Sequence, residues 1–74
     1  MDKIAVLGFV LQNQPVTYDE MAEGEYVTLD ESARSLLRNY RRGYLSRHKD
    51  GRKYHYLITQ RGIDYLRWVV EQGE

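Results

Sequence analysis

A tight-turn signal inside an otherwise helical chain is the feature that most constrains the fold. Residues 44–58 alternate between polar and apolar side chains on either side of Asp50-Gly51. An Asp-Gly pair between two alternating segments is the strongest short-range signal for a two-residue hairpin turn of type I′. This turn pairs Leu45 with Tyr56 and directs both toward the core. The sequence therefore predicts one isolated hairpin among helices.

Capping side chains precede four segments with helical periodicity. Asp2 and Thr59 each stand directly before one such segment, and Thr17 and Thr28 each open a Thr-x-x-Glu capping box. The predicted helices cover residues 3–12, about 18–23, about 28–42 and about 60–72. Gly24 is expected to end the second helix. The fold class is α+β, mainly α: a winged helix-turn-helix with three helices, a two-stranded hairpin and a C-terminal helix.

The spacing of apolar residues predicts which face of each helix is buried. In the first helix, one set shares a face and a second set points the other way, so this helix needs cover on two sides. Those two sets are Ile4, Leu7, Gly8 and Leu11, and then Val6, Phe9 and Val10. The predicted inward residues elsewhere are Met21, Ala22, Leu29, Ala33, Leu36, Leu37, Tyr40, Ile63, Leu66 and Val70.

Length and composition bound the class of protein. The chain has 74 residues and a mass of 8.8 kDa, so we expect residues 1–74 to form a single domain. The absence of cysteine excludes disulfides, thiolate zinc sites and a cysteine nucleophile. The longest apolar run, residues 4–11, is too short to span a bilayer and does not resemble a signal peptide. The expectation is a cytoplasmic protein without a membrane partner.

A net charge of zero conceals a segregated charge distribution. Residues 1–31 hold one base and seven acids, a net charge of −6. Residues 32–53 hold eight bases and one acid, a net charge of +7, and residues 54–74 have a net charge of −1. An excess of one sign in the middle third indicates a polyanionic partner.

The basic residues of this middle third fall on two successive predicted elements. On the third helix they lie opposite the apolar stripe, and on the hairpin they flank the turn. The second helix of a helix-turn-helix enters the major groove of DNA, where arginine pairs with phosphate or guanine. A narrow basic tip fits a phosphate backbone or a minor groove. The residues expected to bind double-stranded DNA are Ser32, Arg34, Ser35, Arg38, Arg41, Arg42, Arg47, His48, Lys49, Arg52 and Lys53.

The hairpin and the start of the last helix resemble the MarR family of transcriptional regulators. In that family a D-x-R wing motif leads to L-T-x-x-G, and this chain has Asp50-Gly51-Arg52 followed by residues 53–62, which end Ile58-Thr59-Gln60-Arg61-Gly62. The PadR-like regulators and small archaeal or archaeal-virus winged-helix proteins share much of the pattern. The resemblance implies a winged helix that binds DNA, with Arg52 in the minor groove and Asp50 shaping the wing.

One departure from that family concerns its dimer. MarR proteins are longer, with extra helices at both ends that build the dimer, so neither that dimer nor the family's ligand pocket is carried over to this chain. We instead expect a homodimer through the first and last helices, whose outer apolar residues a monomer of this size would leave exposed. The alternative is that Phe9 and Trp68 complete the monomer core. The expected interface is Val6, Phe9, Val10, Tyr65, Trp68 and Val69.

The remaining chemistry-bearing residues do not indicate catalysis. His48 and His55 fall on one face of the hairpin, but two ligands alone do not predict a metal site, and no cofactor is expected. Arg47 lies opposite Tyr54 as a candidate cation–π pair. Each pair of adjacent carboxylates opens a helix, where the helix dipole favours it. The chain is therefore not expected to be an enzyme.

Two functions remain open on the sequence. The first is a DNA-binding transcriptional regulator, with the helix of residues 28–42 in the major groove and the wing of residues 47–53 on the backbone or minor groove. The second is a winged-helix module that docks on another protein in a larger assembly, where the acidic first third would serve. Salt-sensitive binding to duplex DNA distinguishes them.

Overall fold

The computed structural model describes residues 1–73, which form four helices and a two-stranded antiparallel sheet. Helices α1, α2 and α3 span Lys3–Asn13, Tyr18–Glu25 and Leu29–Arg41. Strands β1 and β2 span Leu45–Asp50 and Lys53–Ile58, and helix α4 spans Gln60–Gln72. The predicted fold class is confirmed: α2 and α3 form the helix-turn-helix and β1–β2 forms the wing. No helix within residues 1–73 is both long enough and apolar enough to cross a membrane.

The capping side chains act where the sequence predicts them. The Asp2 carboxylate accepts a hydrogen bond from the Ala5 N–H at 2.8 Å. Thr17 forms the predicted capping box, and the Thr28 and Thr59 hydroxyls accept from backbone N–H groups three residues later. Because each cap satisfies N–H groups that the helix leaves free, all four helix starts agree with the prediction to within one residue.

One hydrophobic cluster joins α1, α2, α3 and the wing. α4 covers it with the partly buried Tyr65 and Leu66. Val16, between α1 and α2, forms an isolated antiparallel bridge to β2: its backbone exchanges hydrogen bonds of 3.0 and 2.8 Å with Tyr56. No pattern in the sequence indicates this bridge, which anchors the wing to the helices. The fully or nearly fully buried members are Val6, Leu7, Val10, Val16, Met21, Leu36, Leu45 and Tyr56.

The buried face of α1 differs from the expected one. Val6 and Val10 are 0% exposed within a single chain, so they cannot form a dimer interface as expected. Ile4 and Leu11 are instead exposed. The reason is that α1 is apolar nearly all round, and α3, β2 and α4 together cover the side that carries Val6 and Val10.

The buried face of α3 is also rotated from the expected one. Ser32, Ser35 and Asn39 are buried with Leu36, so the expectation that the two serines contact DNA is wrong. The Ser32 hydroxyl donates to the Tyr18 carbonyl at 2.6 Å, which joins α3 to α2. Small side chains let the two helices approach closely, and the hydrogen bond of Ser32 offsets the cost of burying its hydroxyl. The outward side of α3 consequently carries the apolar residues expected inside: Leu29, Ala33, Leu37 and Tyr40.

The wing has a different register from the expected one. Leu45 pairs with Ile58, and Asp50 pairs with Lys53, so Gly51 and Arg52 form the two-residue loop. Gly51 alone in this loop has a positive φ, +68°, which matches a type II′ turn with glycine first rather than a type I′ turn. The shift is by two residues, and strand alternation has period two. The side chains therefore keep the expected faces, and Leu45 remains in the core.

Two further helix ends depart from expectation. Gly24 does not end α2, which continues to Glu25 and stops at Tyr26 in the left-handed region, with φ 56°. A Cβ at Gly24 would lie 2.5 Å from the Phe9 ring, so the lack of a side chain at Gly24 lets α1 pack closely against α2. In α4, Val70 is exposed rather than inward, and Tyr65 packs on the core instead.

Candidate nucleic-acid interface

The outward face of α3 presents a row of arginines. Arg34, Arg38 and Arg41 are exposed, and together with Leu37 they line a shallow concavity of about 240 Å³. Arg34 forms an exposed ion pair with Asp30 at 2.9 Å, one helical turn away. No ion pair engages Arg38 or Arg41 among residues 1–73. Arg42 follows the helix as an exposed cap residue.

The wing tip carries a second group of exposed cations. Arg52 occupies the second position of the turn, and His48 and Lys49 lie on β1 just before it. His48 and His55 are directly paired across the strands, with near-parallel rings 5.5 Å apart. Within the described residues, no three His, Asp or Glu side chains lie close enough together to hold a metal ion.

A concavity of about 220 Å³ lies between α3 and the wing and joins the two basic groups into one face. Ala33 and Leu37 of α3 form one wall, while Arg52, Lys53 and Tyr54 come from the wing. Sequence reasoning placed Ala33 and Leu37 in the core and so missed them as site residues. The signal that could have revealed them is the spacing of Ser32, Ser35 and Asn39. These polar residues share one face of α3, and a fold that buries this face turns Ala33 and Leu37 outward.

Arg47 connects the wing to α3 instead of projecting outward. Its guanidinium carbon lies 3.8 Å from the ring centre of Tyr54 and 4.1 Å from that of Tyr40, and it donates to the Tyr56 hydroxyl at 3.3 Å. The hydrogen bond that Arg47 donates to Tyr56 raises the pKa of the Arg47 side chain. The expected cation–π pair with Tyr54 is therefore present, although the two residues are diagonal rather than directly opposite.

Lys53 ties the wing to α2. Its ammonium lies 2.9 Å from the Asp19 carboxylate, so the side chain expected to contact DNA already has an anionic partner. The hydrogen bond from Lys53, assisted by Thr17, lowers the pKa of Asp19 to about 2. Together, the Arg47 and Lys53 contacts hold the wing at one angle to the helix-turn-helix.

Acidification should release this wing contact. An Asp whose pKa is lowered by folding stabilises the fold above its unfolded pKa, near 3.8, and this contribution disappears as the pH falls toward 2. Because nearly half of each side chain is exposed to solvent, which screens the pair, we expect the loss to be below about 1 kcal/mol. The melting temperature should fall between pH 6 and pH 2, and Asp19→Asn should remove the part of this fall that comes from protonation of Asp19. Glu23→Gln, on the same helix, should retain it. An unchanged acid profile in Asp19→Asn would contradict the assignment.

Tyr44, for which sequence reasoning gave no role, lies with Tyr65, whose ring centre is 5.3 Å away. Lys3 and Arg61 stand over its ring at 4.8 and 5.2 Å. Tyr44 therefore joins the start of α1 to α4 rather than serving the basic face.

Comparison with known proteins returns structural matches only. No protein-family model matches the chain, and no curated protein matches it.

Several solved structures share the fold. The transcriptional regulator SlyA superposes with a TM-score of 0.83 at 20% identity, covering 96% of this chain and 52% of its own. FabT of Streptococcus pneumoniae, solved in complex with DNA, superposes with a TM-score of 0.82 at 22% identity, covering 96% of this chain and 52% of its own. MarR superposes with a TM-score of 0.82 at 25% identity, covering 93% of this chain and 49% of its own. The chain thus has the winged-helix fold of the MarR-type regulators and spans about half the length of these structures.

Proposed function

We propose that this chain is a transcriptional regulator that binds double-stranded DNA in a sequence-specific manner. The observation that carries the proposal is the single face on which the free arginines of α3 and the cations of the wing tip converge. Helix α2 carries Asp19, Glu20, Glu23 and Glu25 and no base, so phosphates are attracted to the basic face and repelled by the surface of α2.

The shape of this face fits a duplex. An α-helix with its side chains is about 10–12 Å wide and the major groove of B-DNA is about 12 Å wide, so α3 fits there. Arg38 and Arg41 then reach base edges or phosphates, since a guanidinium can bond guanine O6 and N7 together. Arg52, at the wing tip, reaches the neighbouring backbone or minor groove. FabT, which shares this fold, was solved in complex with DNA, and this supports DNA as the partner.

Titration of a labelled random-sequence duplex, followed by fluorescence anisotropy at several salt concentrations, tests the proposal. We expect non-specific dissociation constants of roughly 10⁻⁴–10⁻⁶ M at physiological salt, weakening steeply as salt increases. A sequence enriched from a random pool should bind at least about 10³-fold more tightly. Absence of binding to any duplex at about 50 mM salt would refute the proposal and leave the protein-docking module as the alternative.

Arg47 should support DNA binding without contacting phosphate. The rings of Tyr40 and Tyr54 both lie against the Arg47 guanidinium. We therefore expect Arg47→Met to let the wing move relative to α3 and to lower the affinity for DNA about tenfold. The slope of log K against log salt should stay unchanged, since no phosphate contact is lost. Arg52→Ala is the matched comparison, and its slope should fall by about 1. A similar fall in Arg47→Met would identify Arg47 as a phosphate ligand.

A homodimer through the outer faces of α1 and α4 completes the proposal. With Val6 and Val10 assigned to the core, the proposed interface uses the exposed Ile4 and Leu11 on α1 and Trp68 on α4, the last 55% exposed. Exposed apolar side chains of this size on so small a protein favour a covered interface. A two-fold dimer would present two α3 helices to successive major grooves.

Trp68→Glu should dissociate such a dimer. A carboxylate at the centre of an apolar interface is costly to desolvate, so light scattering should report the 8.8 kDa monomer in place of a species twice that mass. Val70→Glu places the same charge on the opposite flank of α4 and should leave the dimer intact. A wild-type chain that is monomeric both free and on DNA would contradict the dimer.

A further inference from the structure

Helix α3 has an inverted distribution of polarity. Its buried side holds two serines and an asparagine, whereas its outward side carries Leu29, Ala33 and Leu37 at spacings of four residues. Leu29 is 55% exposed, and neither Ala33 nor Leu37 belongs to the hydrophobic cluster. The packing of α2 on Ser32 accounts for the buried side, but it leaves Leu29 exposed and Ala33 and Leu37 partly exposed, which a binding partner could cover.

The outward apolar residues lie among the arginines of the basic face. Leu37 lines both concavities: the one shared with Arg34, Arg38 and Arg41, and the one between α3 and the wing. Ala33 lies one helical turn before it and lines the second concavity. The apolar stripe therefore lies on the side of α3 that faces the wing, and Leu37 borders the row of exposed arginines.

We infer that Leu37, with Ala33 beside it, reads thymine methyl groups in the major groove. This inference rests on the proposed function and specifies its target: half-sites in which thymines adjoin the bases or phosphates held by the arginines. The C5-methyl of thymine is the one apolar group that base edges present in the major groove, and contact with it favours thymine over cytosine. The major groove offers no other group that would gain from contact with a partly exposed leucine.

The basic face itself distinguishes this reading from a protein-docking patch. A protein partner for Leu37 would have to bring acidic residues to at least three arginines around one leucine. Duplex DNA supplies phosphates and methyl groups at this spacing without further assumptions. Leu29 lies at the start of α3, which is the end of a recognition helix that usually contacts base edges.

The test compares one duplex in two versions. A sequence enriched from a random pool is synthesised with thymine or with deoxyuridine, which keeps every hydrogen-bonding group and lacks only the C5-methyl. We expect the wild-type chain to bind the deoxyuridine duplex about fourfold more weakly for each contacted methyl. Leu37→Ala should bind the two versions equally. Val70→Ala, an exposed apolar truncation on α4, should keep the wild-type ratio.

Each outcome is decisive. Equal wild-type affinity for the two versions would overturn the inference while leaving DNA binding itself intact. A wild-type ratio that persists in Leu37→Ala would show that Leu37 is not the reader. Binding to neither duplex would refute the proposed function as well. If Leu37→Ala loses its helical signal, Leu37→Gln keeps the length and helix propensity of the side chain and should also abolish the difference.

Discussion

Replacing Arg38, Arg41 and Arg52 together by alanine should nearly abolish binding to duplex DNA. Each side chain is exposed and none takes part in an ion pair within residues 1–73, so their loss should not disturb the fold. A base or phosphate contact by arginine is worth about 1–3 kcal/mol, so the triple variant should bind at least about 100-fold more weakly. The salt slope should fall by about 3, and anisotropy titrations at several salt concentrations measure both quantities.

A second triple variant separates local contact from net charge. Lys3→Gln, Arg61→Gln and Arg67→Gln remove the same number of positive charges from α1 and α4, away from the basic face. If total charge governed binding, the two triple variants would behave alike. We expect the control to retain binding within a few-fold of the wild type, because a removed charge more than about 10 Å from a phosphate is largely screened. Equal losses in both variants would contradict the assigned face.

Gly62→Ala should be the most destabilising single-methyl change in the chain. A Cβ at this position would lie 2.4 Å from the Tyr44 carbonyl oxygen and 2.7 Å from Ile58 Cγ1. The Tyr44 carbonyl cannot move away easily, because it accepts a hydrogen bond of 3.0 Å from the Thr59 N–H. This hydrogen bond joins the residue before β1 to the residue before α4. Overpacking of this kind costs roughly 1–3 kcal/mol or more, so we expect about 3 kcal/mol and a melting temperature about 15 °C lower.

Gly8→Ala provides the matched control for this prediction. Gly8 is also in a helix, but apart from its chain neighbours and the backbone of its own helix no described atom lies within 4 Å of the position its Cβ would take. The same substitution should therefore raise stability by about 0.5–1 kcal/mol through helix propensity alone. Denaturant unfolding of both variants gives the comparison. A stability for Gly62→Ala equal to or above that of the wild type would show that α4 does not pack this closely on the wing junction.

Local signals in the sequence predicted the elements of the fold well. Each helix start depends on a capping side chain only three residues from the groups it satisfies, so Asp2, Thr17, Thr28 and Thr59 were readable directly. The wing faces were also correct despite the wrong register. A two-residue shift preserves the alternation that places Leu45 and Tyr56 inward.

Tertiary packing decided what the sequence did not predict. The orientation of α3 depends on how closely α2 approaches it, and Ser32 contributes a hydrogen bond to Tyr18 that no periodicity indicates. The buried side of α1 depends on which neighbours cover a helix that is apolar all round. Because the cations of α3 cover a wide arc, its arginines remained outward after this rotation, and among the predicted site residues of α3 only Ser32 and Ser35 are buried. Lys53 and Arg47 were expected to bind DNA because they are basic. Their contacts with Asp19 and Tyr40 could not be predicted, because these partners lie on other elements.

Amide chemical shifts of the full chain, recorded by NMR while a duplex enriched from a random pool is added, test the central claim most directly. We expect the largest changes on α3 from residue 29 to residue 41 and on the wing tip around Gly51, with α4 little affected by DNA. Shifts concentrated on the acidic surface of α2 or on α4, with α3 and the wing tip unchanged, would show that this face does not bind DNA.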